Sequence, residues 1–175
     1  MTRSLLLLLC ASTILVGCGA SHPTETPIPI TLVSDFSSWE GEFTGQYREP
    51  TPMCLLELSE QRDNHLTAMV NPTVRNHIQQ SQQPQTVMIA CFLGLRQAGG
   101  ASLSIQSITI SEAMIHIYAT VSLPQPHEFA ESGTHSPVSV VRIDQGAIPR
   151  NIPLTLRLIN ATTTQELANN SVIRP

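Results

Sequence analysis

Ala113-Met114-Ile115-His116-Ile117-Tyr118-Ala119-Thr120-Val121-Ser122-Leu123 is the stretch that decides the fold. Ala113, Ile115, Ile117, Ala119, Val121 and Leu123 alternate without a break against Met114, His116, Tyr118, Thr120 and Ser122. Successive side chains of an extended chain point to opposite faces. A period of two therefore describes an antiparallel strand with one face on a core and the other toward solvent. Upstream, from Ser102, Leu103 and Ile105 point one way, and Ile108 and Ile110 are out of phase with them. That slip predicts a bulge near Gln106-Ser107, where an extra residue resets the alternation. Before it, Gly94 to Gly100 reads as a turn with glycine at both ends, and Thr86 to Leu93 (TVMIACFL) as the strongly apolar centre of a sheet. Downstream, Gln125 to Pro137 is a polar loop, Val138 to Ile143 and Leu154 to Ile159 supply two more strands, and the chain after Asn160 is a polar, loosely held tail.

The region before Thr86 adds a short strand at Met53 to Leu58. A helix follows, started by Ser59-Glu60-Gln61-Arg62-Asp63, carrying Leu66, Met69 and Val70 at helical spacing, and stopped by Pro72. Thr73 to Gln85, centred on Gln79-Gln80-Ser81-Gln82-Gln83, has little to bury except Val74 and Ile78 and reads as a loop or ragged helix. Ile30 to Val33 is an edge strand, because Pro27 and Pro29 forbid an interior position. Phe36 and Trp39 start the packed domain. The sum is an α+β domain over residues 36–160, a mostly antiparallel β-sheet with one early helix, curling toward a sandwich or barrel. Residues 161–175 form its polar C-terminal tail.

The other end of the chain says where the protein works. Arg3 precedes an apolar run from Leu5 to Leu9 and Ile14 to Val16, then small Gly17, then Cys18. The run is too short to span a bilayer, which needs about 20 apolar residues, and it has the anatomy of a secretory signal. Leu15-Val16-Gly17-Cys18 resembles the lipobox of bacterial lipoproteins, in which the cysteine thiol takes a diacylglycerol and the chain is cut before it. The plainer alternative is an ordinary cleaved signal that ends next to a cysteine. On the lipobox reading, residues 1–17 leave and residues 18–35 are the lipidated cysteine and a flexible tether. Gly19 to Pro29 (GASHPTETPIP) is small, polar and proline-rich, as a tether would be. Gly19 and Ala20 carry no acidic signal for inner-membrane retention, which favours the outer membrane in a cell with two.

The 175-residue chain, once residues 1–17 have left, has a length that suits one domain, able to bury roughly 70% of its unfolded surface and in need of neither a disulfide scaffold nor a metal. Every fixed positive charge is one of nine arginines, lysine is absent, and the formal net charge is −4. The arginines are scattered, so no basic patch for nucleic acid or anionic lipid is present. Beyond Cys10 in the signal and Cys18, the cysteines are Cys54 and Cys91, both on apolar strand faces in an oxidising compartment. Two readings stand: a bridge between neighbouring strands, or two buried thiols acting as small hydrophobes.

At Phe92-Leu93-Gly94-Leu95-Arg96-Gln97-Ala98-Gly99-Gly100-Ala101 the chain resembles the C-terminal domain of PrcB-type protease-complex subunits. That family has a strand ending FLG, a turn bearing arginine, and a Gly-Gly pair before a hairpin. Gly45-Gln46-Tyr47 upstream and Pro137-Val138-Ser139-Val140-Val141-Arg142-Ile143 downstream are similar to family segments too. The likeness spans residues 41 to 160. Leu95 replaces an acidic residue of the family, Gln97-Ala98 replace Pro-Thr, Ala101 replaces an aromatic, and the helix lacks the family's tryptophan. The resemblance implies a non-enzymatic envelope lipoprotein, and the family's named member supports the stability of a protease complex.

No Gly-x-Ser-x-Gly elbow, phosphate loop or Cys-x-x-Cys pair is found, and no cofactor is expected. His127, Glu128 and His135 form a loop cluster whose spacing matches no standard zinc site, so no metal is expected. His116 sits on the outward strand face and reads as a surface residue; His65 and His77 read as solvated positions near the helix end. Gly94, Arg96, Gly99 and Gly100 make a candidate interaction loop. Its glycines meet the backbone demands of a reversal, and its arginine suits carboxylate recognition, exposed solvation or an internal ion pair. Two functions are carried forward. One is a lipid-anchored, non-catalytic interaction or stabilising subunit, with a secreted protease as candidate partner. The other is a peptide- or small-ligand-binding module, including a protease inhibitor that presents the Gly94–Ala101 loop.

Overall fold

The computed structural model describes residues 24–36, 47–58, 65–98, 100–124 and 132–173. In chain order the elements are β1 (Thr26–Ile28), β2 (Thr31–Phe36), β3 (Met53–Leu58), α1 (His65–Ala68), α2 (Pro72–Gln80), β4 (Thr86–Phe92), β5 (Arg96–Ala98), β6 (Ser102–Ser111), β7 (Met114–Ser122), β8 (Ser132–His135), β9 (Val138–Asp144), β10 (Pro153–Asn160) and β11 (Glu166–Ile173). The fold is α+β and rich in β-structure. Sheet A runs β1-β6-β7-β10-β11, sheet B runs β2-β9-β4-β3, and β5 with β8 makes a separate two-stranded ribbon. Neither sheet closes on itself, so the architecture is a sandwich and not a barrel. Every pairing is antiparallel except β7 with β10.

Sheet B lies between two apolar layers, which explains why β4 carries no alternation. Val87, Ile89 and Cys91 join Leu103, Ile117, Leu156 and their neighbours between the sheets. Met88, Ala90 and Phe92 pack instead with Leu66, Val70, Val74 and Ile78 of the helical layer. A strand buried on both faces reads as a continuous apolar run. Sheet A is covered on one face and keeps the period of two. The phase slip in β6 is real: the β6–β7 register shifts between Ile105 and Ser107. The Ile105 N–H crosses the core to the Ser139 hydroxyl at 3.1 Å, a buried bond between the two sheets.

Three expectations are corrected. Pro72 begins a helix instead of ending one. Asn71 caps α2, its side chain accepting from the Val74 N–H at 2.8 Å, and proline at the first turn loses no hydrogen bond there. The described helix therefore falls mainly over Pro72–Gln80, within the stretch read as a loop or ragged helix, and the helical alternative is the one it takes, with α1 a single turn before it. The residues expected to start the helix, Ser59 to Asp63, lie outside the described residues. Second, ordered structure begins before residue 36: β1 joins sheet A and β2 joins sheet B, so a tether reaching residue 35 is too long. Third, residues after Asn160 are no loose tail. Arg157 and Asn169, Leu156 and Asn170, and Leu154 and Val172 are register partners of β10 and β11.

Candidate functional site

The predicted interaction loop lies where β4 leaves the sandwich. The Leu93 N–H donates to the Pro137 carbonyl at 2.9 Å and the Leu95 N–H to the Glu49 carbonyl at 2.8 Å. Tyr47 holds the approaching segment, its hydroxyl donating to the Thr51 carbonyl and its ring centroid 5.0 Å from that of Phe92. Gly94 is buried in this crossing at φ +83°, and a Cβ there would stand 2.5 Å from the Pro50 carbonyl oxygen. Arg96 folds back, donating from Nη2 to the Leu93 carbonyl at 2.7 Å. It is half-buried and not the exposed arginine of the first reading, and among the described residues no carboxylate pairs with it.

Beyond Arg96 the chain extends as β5 and pairs with β8, with Arg96 opposite His135. His135 Nε2 lies 3.4 Å from the Ala101 carbonyl. Three buried polar atoms at the root of this ribbon have no hydrogen-bonding partner among the described residues: Arg96 Nε, His135 Nδ1 and Ser136 Oγ. Ser136 is only 1% exposed. At the rim, Gly100 is exposed at φ +90° and a Cβ there would meet Pro124 Cβ at 3.6 Å. Leu123, next to Pro124, is 57% exposed. Of the loop residues named from sequence, Gly94 and Arg96 thus serve the fold, Gly100 reaches the surface, and Gly99 lies outside the described residues. Sequence reasoning missed Ser136 and Leu123. The end of the apolar alternation at Leu123 was the available signal.

A second constellation occupies the outer face of sheet A. Cross-strand register sets Thr109, His116, Arg157 and Asn169 in one row over four strands. Glu25 closes on one end: Oε2 accepts from Thr109 Oγ1 at 2.7 Å and from the Tyr118 hydroxyl at 3.2 Å, and Oε1 lies 3.0 Å from His116 Nδ1. The Thr109 hydrogen bond, helped by Tyr118 and His116 and opposed by slight desolvation, holds the Glu25 carboxyl below its usual range. Burial, then the Glu25 carboxylate, push the Tyr118 phenol up. At the other end Glu166 pairs with Arg157 and accepts from Asn169 at 3.2 Å, and the Arg157 hydrogen bond first of all lowers its carboxyl. His116 is 8% exposed, so it is not the surface residue its outward position suggested. The cluster pins β1 to the edge of sheet A.

Cys54 and Cys91 form a disulfide inside the core between the sheets. They are direct cross-strand partners with Cα atoms 4.1 Å apart, the short spacing of a pair not hydrogen-bonded to each other. The Cys54 N–H and carbonyl therefore point away from β4, toward β11. Asn170 meets both, accepting from the N–H at 3.2 Å and donating to the carbonyl at 2.8 Å. Glu57, further along β3, accepts the Leu66 N–H at 2.8 Å, and desolvation pushes its carboxyl up.

Cys18, the signal segment, Trp39, His127 and Glu128 lie outside the described residues. Among those described, no group of three His, Cys, Asp or Glu could hold a metal ion, and no helix is long and apolar enough to cross a membrane. Comparison with protein families, curated proteins and solved structures finds no match for the chain.

Proposed function

We propose that this chain is a lipoprotein of the bacterial cell envelope, held at the membrane by Cys18, whose domain is a non-catalytic interaction or stabilising subunit for a protein partner. The observation that carries the reading is the ribbon end. There two strands belonging to neither sheet leave the sandwich, beside a leucine that is 57% exposed. Among the described residues each of these two strands pairs only with the other, so each keeps an open edge on which a partner chain can build. The likeness of Phe92 to Gly100 to PrcB-type subunits makes a secreted protease the first partner to test.

A photo-crosslinking residue at Leu123 in intact cells tests this. It should give one defined heavier species, while the same residue at Asn76, exposed on α2, should give none. Uncrosslinked monomer alone from Leu123 overturns the proposal. Arg96 Nε, His135 Nδ1 and Ser136 Oγ, which find no partner among the described residues, favour a second reading, a site for the carbonyl or carboxylate oxygens of a peptide or small ligand. Such a ligand at 100 times its dissociation constant stabilises the fold by about 2.7 kcal/mol. A thermal shift with envelope peptides that is lost in Arg96→Met would favour it. Absence of any shift eliminates it.

A further inference from the structure

We infer that the β6–β7 hairpin end of the sandwich faces the bilayer and the ribbon end faces away from it, an inference that rests on the lipid anchor at Cys18. Strand β1 enters sheet A beside that hairpin: Thr26 pairs with Ile110, Pro27 with Thr109 and Ile28 with Ile108. From there it runs toward the ribbon. Glu25 fixes the point of attachment through Thr109, Tyr118 and His116. Seven residues lead from Cys18 to Glu25, and fully extended they reach at most about 25 Å.

Strand β6 covers Ser102–Ser111, from the ribbon end to the hairpin, a length of about 31 Å at strand rise. With the ribbon turned to the lipid, Glu25 would stand farther from the surface than its leash allows. With the hairpin turned to the lipid, the leash suffices. The loop leading into β10 lies at the same end, since the Thr155 N–H donates to the Ala113 carbonyl at 2.9 Å and β10 starts alongside Met114. The membrane-facing surface thus holds Glu112, Arg150 and the 38%-exposed Ile152. Arg150 is set there against Glu112 and Glu25, and the chain has no lysine, so chain length sets the pose and attraction to anionic lipid does not.

The test uses the lipidated full chain in neutral phosphatidylcholine vesicles carrying a head-group energy acceptor. A donor fluorophore is placed at Arg150→Cys or at Leu123→Cys. Transfer should be several-fold greater from position 150. Equal transfer, or greater transfer from position 123, overturns the inference. Inserting about 20 Gly/Ser residues after Ala20 should erase the difference, and a difference that persists shows that the leash is not its cause and overturns the inference. Cys18→Ser separates the two failures. If that variant stays on vesicles as the lipidated chain does, the anchor reading fails. If it is released while the lipidated donors still transfer equally, the orientation alone fails.

Discussion

Gly94 and Gly100 both adopt a left-handed backbone, yet they answer to different constraints. At Gly94 the chain passes so near Pro50 that a Cβ would meet backbone at 2.5 Å, and backbone does not swing aside; at Gly100 the nearest atom is 3.6 Å away. Gly94→Ala should therefore cost about 3 kcal/mol, backbone strain plus collision, and Gly100→Ala about 1 kcal/mol, strain alone. Urea midpoints of the two variants check this, and equal losses would refute the packing role of Gly94. Glu25 makes a prediction of a different kind. Its carboxyl is held below the ordinary 4.5 in the folded chain, so its contribution is present above 4.5 and is lost as pH falls through the lowered folded value. Amide exchange at Thr26 and Ile28 should accelerate over that acid range while exchange in β4 does not. Glu25→Gln should flatten the acid response and leave β1 exchanging faster at neutral pH.

The disulfide joins β3 to β4 across a separation of 37 residues. Loop entropy for that length gives about 4 kcal/mol, so Cys54→Ala with Cys91→Ala should lower unfolding stability by about 3–4 kcal/mol, read from denaturant titration. An unchanged midpoint would mean that the strand pair alone suffices. At this scale the sequence was readable wherever burial imposes a period. Strand β7 shows two faces because solvent meets one of them. Strand β4 shows none because helices cover its second face, and the bulge in β6 was visible as a slip between Ile105 and Ile108. It was unreadable where small or polar residues do the packing. Ala168 and Asn170 sit opposite Leu158 and Leu156 in β11, so no apolar alternation announced that strand. Pro72 misled because proline either stops a helix or starts one, and Asn71 before it was the cue that decides. Of the site, Gly94 and Arg96 were legible as a turn. The burial of His116 under Glu25 was not, because a contact so distant along the chain leaves no local pattern.

On the scale of the molecule, the two sheets meet along one side through β11 and β3. Ending the chain at Asn160 would remove the strand that flanks β10, strip cover from Leu154, Leu156 and Leu158, and leave the Cys54 N–H and carbonyl without Asn170. That truncated chain should lose its cooperative unfolding transition, followed by near-ultraviolet circular dichroism; a sharp transition of native amplitude would show that β11 is dispensable. Asn170 has a consequence of its own. An outermost strand with open backbone groups is a template on which another copy of the chain can build, and a single amide side chain covers that template at Cys54. Asn170→Ala should therefore lower stability by about 1–3 kcal/mol and, in concentrated solution, seed aggregation that the parent chain resists, measurable by light scattering. With the lipid anchor proposed at Cys18, copies would meet continually in two dimensions, and that one amide would help decide whether neighbours stay separate molecules.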